Sequence, residues 1–300
     1  MSSVSGMRQG KSDRVVGVVS TVLIIALSLV FLYPVVYIVS LSFSDSQFVD
    51  RRMVWLLPMG FNVNAYRLAF RHEYLLGSYW NSVVYSVLGT VYSLALTIFG
   101  AYALSHKRLR GRGVITMIIF ITMLFSGGLI PTFLLVRDLG MLNSLWAMIL
   151  PCAVSQWSLI VMRTAFQQNP ESIEESARID GASHFQVMLR IVVPMSTPVI
   201  ATMGLLYFVG KWNDYFQAMV YLSTRTMFPL QLIARELLVV FGDNAFKRAM
   251  GNVAEASRLS YSPVTFRSAI IVLTLAPLMA IYPFLQRYFV KGMTVGAVKG

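Results

Sequence analysis

Six apolar runs separated by polar stretches set the organisation of the chain. They cover Val15 to Leu41, Tyr79 to Leu104, Val114 to Val136, Leu145 to Phe166, Ile191 to Val209 and Ala269 to Phe289. A helix needs about 20 apolar residues to cross a hydrocarbon core about 30 Å thick, so each run reads as a transmembrane span. Prolines fall near the inner end of span five (Pro194, Pro198) and inside span six (Pro277, Pro283), where they should kink the helix. The first run is too long for a signal-peptide core and lacks a small-residue cleavage site, so it reads as retained.

The pattern is broken most sharply from Asn169 to Pro194, NPESIEESARIDGASHFQVMLRIVVP, where four acidic residues interrupt an oily chain. The stretch predicts a helix from Pro170 to Asp180, with Asn169 as N-cap, Pro170 in the first turn and Glu171 at the positive end of the dipole. Gly181 ends it through the left-handed conformation that glycine enters freely. A second helix is expected from about Ser183 to Val192, with Phe185, Met188, Leu189 and Val192 on one side.

Composition agrees with the span pattern. At 56% hydrophobic and 13% charged residues, with a mean hydropathy of +0.66, the chain has too little polar surface for a soluble globule of 300 residues. The net charge of +12 belongs to segments flanking the spans, not to a nucleic-acid surface. HKRLRGRG, residues 106 to 113, is the strongest topological signal and places that loop in the cytoplasm by the positive-inside rule. Six spans then put both termini, residues 1–14 and 290–300, inside. They also put the loop 169–190 on the cytoplasmic side. Outside lie the mixed segment Ser42 to Ser78, with an interface-lying portion, and a long segment from Lys211 to Arg267. Helices are expected there near Trp212 to Leu222 and Leu230 to Phe241.

The motifs exclude several chemistries. Gly210-Lys211 is followed by Trp212 and lacks the spacing of a phosphate loop, so the chain has no ATP site of that kind. No serine-hydrolase elbow or paired-histidine zinc motif occurs, and His72, His106 and His184 lack metal-ligand spacing. The single Cys152 cannot form an internal disulfide. Ionisable residues are nearly absent from the spans, which argues against a proton relay or an intramembrane enzyme. Energy for transport would have to come from a partner, and the alternative is a stand-alone carrier or channel.

ESARIDGA, Glu175 to Ala182, with Ile191 and Pro194 beyond it, resembles the EAA loop of permease subunits in binding-protein-dependent ABC importers. EESARIDGAS (174–183), KWNDYF (211–216) and QRYFVKGMTVGAVKG (286–300) make the chain similar to the shorter permease of maltose-type carbohydrate importers. It departs at Ser176, where alanine is usual, and in the segment from Leu222 to Phe266, which is longer than in those relatives.

The resemblance implies an all-α membrane protein of six spans that forms half of a pore with a second, homologous permease in the bacterial cytoplasmic membrane. Two ATPase subunits would bind ATP and Mg, leaving this chain without a cofactor, and an extracytoplasmic binding protein would deliver an oligosaccharide. Glu171, Glu174, Glu175, Ser176, Ala177, Asp180, Gly181 and Ala182 would form a coupling helix and turn docked in an ATPase. Its carboxylates would pair with basic groups there, and Ile173 and Ala177 would supply an apolar seam. Gly292, Gly296 and Gly300 would bring the tail between the ATPases, although a frayed basic end has the same composition. Trp212, Asn213, Asp214 and Tyr215 read either as interfacial anchors or as a sugar-facing lip. Arg225, Arg235, Lys247, Arg248 and Arg258 are compatible with an acidic sugar.

Overall fold

A computed structural model describes residues 11–125, 127–240 and 262–297, with side chains for residues 16–125, 127–238 and 262–281. The described residues are helical and contain no strand. They belong to two compact units, Met1–Arg71 with Phe241–Leu273 and His72–Val240 with Thr274–Gly300.

In the first unit α1 (Lys11–Ser42) is apolar on every side and leaves its side chains exposed along most of its length, as a lipid-facing helix does. It is followed by the short helices α2 (Ser46–Asp50) and α3 (Asn64–Phe70). The second unit is built on α4 (Leu75–Ser105), which packs against α8 (Gln156–Phe166) and α11 (Thr197–Trp212). A row of small residues on α4, Ser82, Ser86, Gly89, Ser93, Thr97 and Ala101, is buried and allows close approach. Gly89 shows why: a β-carbon there would lie 3.3 Å from the Lys211 stem.

Among the described residues three helices are long and apolar enough to cross a membrane alone, and up to five crossings result if each bent helix pair counts as one. The expected third run is divided into α5 (Arg112–Leu124) and α6 (Leu129–Asp138). Gly128, with φ +87°, precedes α6. The expected fourth run is also divided, into α7 (Leu145–Ile149) and α8. Pro151 cannot donate a backbone hydrogen bond there and Cys152 is left-handed, with φ +57°. Ser155 then caps α8 through the Ser158 amide.

Ahead of α11 the chain forms α10 (His184–Met195), which meets α11 at 86°. Pro194 would clash with the carbonyl four residues before it in a regular helix. The chain widens into a π-turn over Met188–Val192, where the Val193 amide donates to Met188. Pro198 then lies in the first turn of α11, where its missing donor costs nothing. In contrast, α14 (Pro263–Ala297) is helical through Pro277 and Pro283, so those prolines do not end it.

Two polar contacts hold the broken elements. The Tyr207 hydroxyl lies 2.8 Å from Thr97 Oγ1 and accepts the Ser155 amide at 3.0 Å. Lys211 Nζ donates to the Met148 carbonyl at 2.9 Å, near the end of α7, where the helix stops ahead of Pro151. Tyr207→Phe leaves these buried groups short of a partner, a loss of about 1–3 kcal/mol. A lowered melting temperature of the detergent-purified chain is the expected result, and an unchanged one contradicts this role.

Candidate functional site

The acidic stretch folds as a helix, a glycine turn and a second helix. α9 spans Glu171–Ile179, shorter than expected at both ends. Pro170, not Asn169, occupies the cap position, and the Asn169 amide instead donates to Ser196 Oγ at 3.1 Å, at the bend between α10 and α11. The expected stop is found: Gly181 has φ +86°. Its amide donates to Arg178 and the Ala182 amide donates to Ala177, a Schellman closure that satisfies the last carbonyls of α9. Ser183 and Gln186 then form a reciprocal capping box that starts α10.

One face of this unit is docked. Ala101, Tyr102 and Leu104 of α4 form a core with Leu159, Met162 and Phe166 of α8 and with Val187, Met188 and Val192 of α10. Ala177 and Ala182 pack against that core. Of the expected Phe185, Met188, Leu189 and Val192 side, Met188 and Val192 are buried in that core, whereas Phe185 and Leu189 are exposed and Val187 joins the buried face. The seam of Ile173 and Ala177 is divided likewise, with Ile173 outward. Arg163 Nε donates to the Leu104 carbonyl at 3.2 Å and Gln167 Nε2 to the Ser105 carbonyl at 3.4 Å. α8 thereby supplies donors to the unpaired end of α4.

The carboxylates find partners within the chain. Lys107 Nζ lies 3.1 Å from Glu171 and Arg108 3.7 Å from Glu175, so the basic loop after α4 lies over the acidic helix. Glu174 is only 9% exposed and has Arg178, one turn on, at 3.6 Å, with His106 Nδ1 at 4.0 Å. His106 stands edge-on to Tyr102 and to His184, 5.9 Å between the two imidazole centres. A cleft of about 840 Å³ runs between this loop and α9. Ser176 stays outside, its hydroxyl bonded to the Ser172 carbonyl. Sequence reasoning sought the partners of Glu174 and Glu175 in another protein. The usable signal was a basic and an acidic loop assigned to the same side of the membrane. It also overlooked Ile179, which at 87% exposed is the most prominent apolar side chain on α9.

Burial holds the His106 imidazole below its ordinary value, aided by Arg178 and His184 and opposed by Glu171. The lowered value favours the neutral imidazole, and at 4.0 Å its Nδ1 lies beyond hydrogen-bond distance of Glu174. Burial also raises the Glu174 carboxyl, with Glu171 adding to the rise and Arg178 and His184 opposing it. Glu171, at the surface, is lowered by its hydrogen bond from Lys107 and by the Lys107 charge.

The other predicted positions serve different ends. Trp212 is neither anchor nor lip: it is 2% exposed, and its indole donates to the Thr274 carbonyl at 3.3 Å. Asn213 bonds back to the Val209 carbonyl. Asp214 caps α12 (Tyr215–Tyr221) by accepting the Gln217 amide at 3.0 Å. Tyr215 remains at the surface beneath Arg235, and Arg225 pairs with Glu236 at 3.7 Å. The expected second outer helix is α13 (Leu230–Arg235), continued by a π-turn to Val240. Gly292 and Gly296 fall within α14. Gly300, Lys247, Arg248 and Arg258 lie outside the described residues. Among the described residues no three His, Cys, Asp or Glu side chains form a metal-binding group, and Cys152 is exposed.

A bundle of broken apolar helices with one polar helix-turn-helix docked at the end of α4 defines a membrane-embedded transport component. Residues 74–295 match the family described as binding-protein-dependent transport system inner membrane component, and the chain belongs to that family. It is 38% identical over 274 residues to the polygalacturonan/rhamnogalacturonan transport system permease protein YtcP of Bacillus subtilis, covering 91% of this chain and 94% of that one. It is 36% identical over the full length of both chains to protein LplC of the same organism. Its fold is similar to that of a chain in the crystal structure of a bacterial ABC transporter involved in the import of the acidic polysaccharide alginate. That match has a TM-score of 0.86 and 37% identity, and covers 95% of this chain and 100% of that one.

Removing Arg178 leaves the Glu174 carboxylate without its guanidinium, so Arg178→Ala should destabilise the chain by about 1–3 kcal/mol. Lys107→Ala opens only a solvent-exposed, salt-screened pair and should leave the melting temperature unchanged. Equal effects from the two would contradict the assigned burial. His106 also carries a pH dependence. Its folded-state value is depressed, so the stability it contributes is present above its ordinary value of 6.5 and is lost as pH falls toward the folded value. The melting temperature should therefore drop on acidification below 6.5, and His106→Gln should reduce that drop. Glu174 acts with the opposite sign in a more acidic window, since a raised carboxyl favours the folded state at low pH.

Proposed function

We propose that the chain is one half of the pore of an ATP-driven importer for acidic oligosaccharides, and that α9 with the Gly181 turn couples it to the ATPase. The observation that carries this reading is the two-sided build of α9. Ala177, Ala182 and Glu174 face the protein, while Ile173, Ile179 and Asp180 face outward, where a partner can hold them. Nine residues make a helix too short to be stable unaided. The tie to α4 and α8 gives it the stiffness of a lever.

In this reading six crossings are completed by α7 and α8 acting together, both termini are cytoplasmic, and two partner ATPases hold ATP and Mg. A second, homologous permease supplies the other half of the pore. Closure of the ATPases moves α9, and spans three to six rock to open the pore toward a loaded extracytoplasmic binding protein. Glu171, Glu175, Ser176 and Asp180 form the rim of the docking surface, and the helical end of α14 at Gly292 and Gly296 extends toward the ATPases with Gly300 beyond. Relatives named for polygalacturonan and alginate transport support an acidic substrate. Tyr215 and Arg225 are the lip residues that remain at the surface for it or for the binding protein.

Gly181→Pro is the direct test. Proline fixes φ near −65° where +86° is needed and removes the amide that closes the turn onto Arg178. In proteoliposomes holding the complete importer and its binding protein, ATP-driven uptake of oligogalacturonide should be lost while the variant still inserts and assembles. Undiminished uptake would falsify the coupling role. Uptake by the chain without ATPases would establish a stand-alone carrier instead, and preference for a neutral oligosaccharide would overturn the acidic class.

A further inference from the structure

The segment between α2 and α3 is an apolar loop built with its side chains turned outward. Trp55, Leu57 and Phe61 are 68%, 76% and 71% exposed. This is not the exposure of an unstructured stretch, because the loop is pinned along its length. Ser40 Oγ donates to the Leu56 carbonyl at 2.6 Å, the Met59 amide donates to Ser44 Oγ at 3.0 Å, and the Asp45 amide donates to the Met59 carbonyl at 3.0 Å. Val54 is buried against Leu41 and Val49 and anchors the base of the loop, while the side chains from Trp55 to Met59 are exposed. Gly60, with φ +64°, is required where the chain passes back over Phe48; a β-carbon would lie 3.0 Å from that ring. Phe61 stacks on Phe43, which stacks on Tyr66.

These contacts fix the depth of the tip. Ser40 lies two residues before the end of α1, about 3 Å along its axis, and α1 is long and apolar enough to cross a membrane and is exposed over most of its length. A loop bonded to Ser40 and packed on Leu41 is level with the last turn of the span, where hydrocarbon gives way to headgroups. Backbone at that depth must be satisfied internally, as the Leu56 carbonyl and both backbone groups of Met59 are. Tryptophan is favoured at this level, and Arg51 and Arg52, both exposed on the same loop, suit phosphate oxygens.

We propose that the Met53–Phe61 loop is a lipid-binding foot: Trp55, Leu57 and Phe61 enter the bilayer interface beside α1, and Arg51 and Arg52 engage headgroup phosphates. The inference needs only that the chain is a membrane component, and it stands whether or not the coupling role of α9 holds.

The test is a nitroxide spin label at Leu57→Cys, in a chain carrying Cys152→Ser, assembled with cysteine-free partner subunits in nanodiscs of mixed neutral and anionic phospholipid. A label at Phe61→Cys is the second position should the first variant fold poorly. Collision with molecular oxygen should exceed collision with a water-soluble nickel chelate severalfold at both positions. Dominance of the nickel chelate would place the loop in water, and low collision with both reagents would show that a protein partner covers it; either result overturns the proposal.

Discussion

A helix that leaves a bilayer must satisfy its last carbonyls, and the polar end of this protein depends on how α4 does so. Arg163 and Gln167 of α8 donate to Leu104 and Ser105, which brings α8 alongside α4 and closes a core over Tyr102, Met162 and Phe166. That core is the platform on which α9 and α10 rest through Ala177, Ala182 and Val187. The charges come second. Lys107 and Arg108, just past the end of α4, meet Glu171 and Glu175 in exposed pairs that are weak singly and orient the loop more than they stabilise it. The Glu174–Arg178 pair is different, since the carboxylate is buried and loses its compensation if the guanidinium is removed.

The breaks in the apolar helices follow the same logic of satisfied backbone. α7 stops ahead of Pro151, and Lys211 from α11 supplies a donor to the Met148 carbonyl near its end. Pro194 forces a π-turn, and the bend that follows is held by the Asn169–Ser196 contact. The acidic stretch is therefore tied at both ends, to α4 by charge and packing and to the α10–α11 bend by one amide. A displacement of α9 would reach both places together.

Much of this was legible in the sequence, and the reasons differ by feature. The apolar runs identify the helices because hydropathy summed over twenty residues is a strong signal. The Gly181 stop was legible because an αL residue after a helix has a specific chemistry. The divisions of runs three, four and five were not, since hydropathy is blind to direction and a proline reads as a kink or as nothing, as Pro277 and Pro283 in the continuous α14 show. The facing of α10 was legible in part: Met188 and Val192 turn inward but Phe185 and Leu189 do not, since apolarity alone does not say which side a neighbouring helix covers. Trp212 beside a span end looked like an anchor and is core, since its indole is held by Thr274 of α14, 62 residues further along the chain. Partners of Glu174 and Glu175 were sought in another protein because the loop 106–113 was used only for topology.

The central claim is that α9 and the loop after α4 move as one body. It is tested most directly by locking them together. A short bifunctional thiol crosslinker joining Arg108→Cys to Glu175→Cys, in a Cys152→Ser chain within the complete reconstituted importer, should leave ATP-driven uptake unchanged relative to the uncrosslinked variant. Loss of uptake on crosslinking, restored when a cleavable linker is cut, would show that the two must separate during the cycle and would contradict the account.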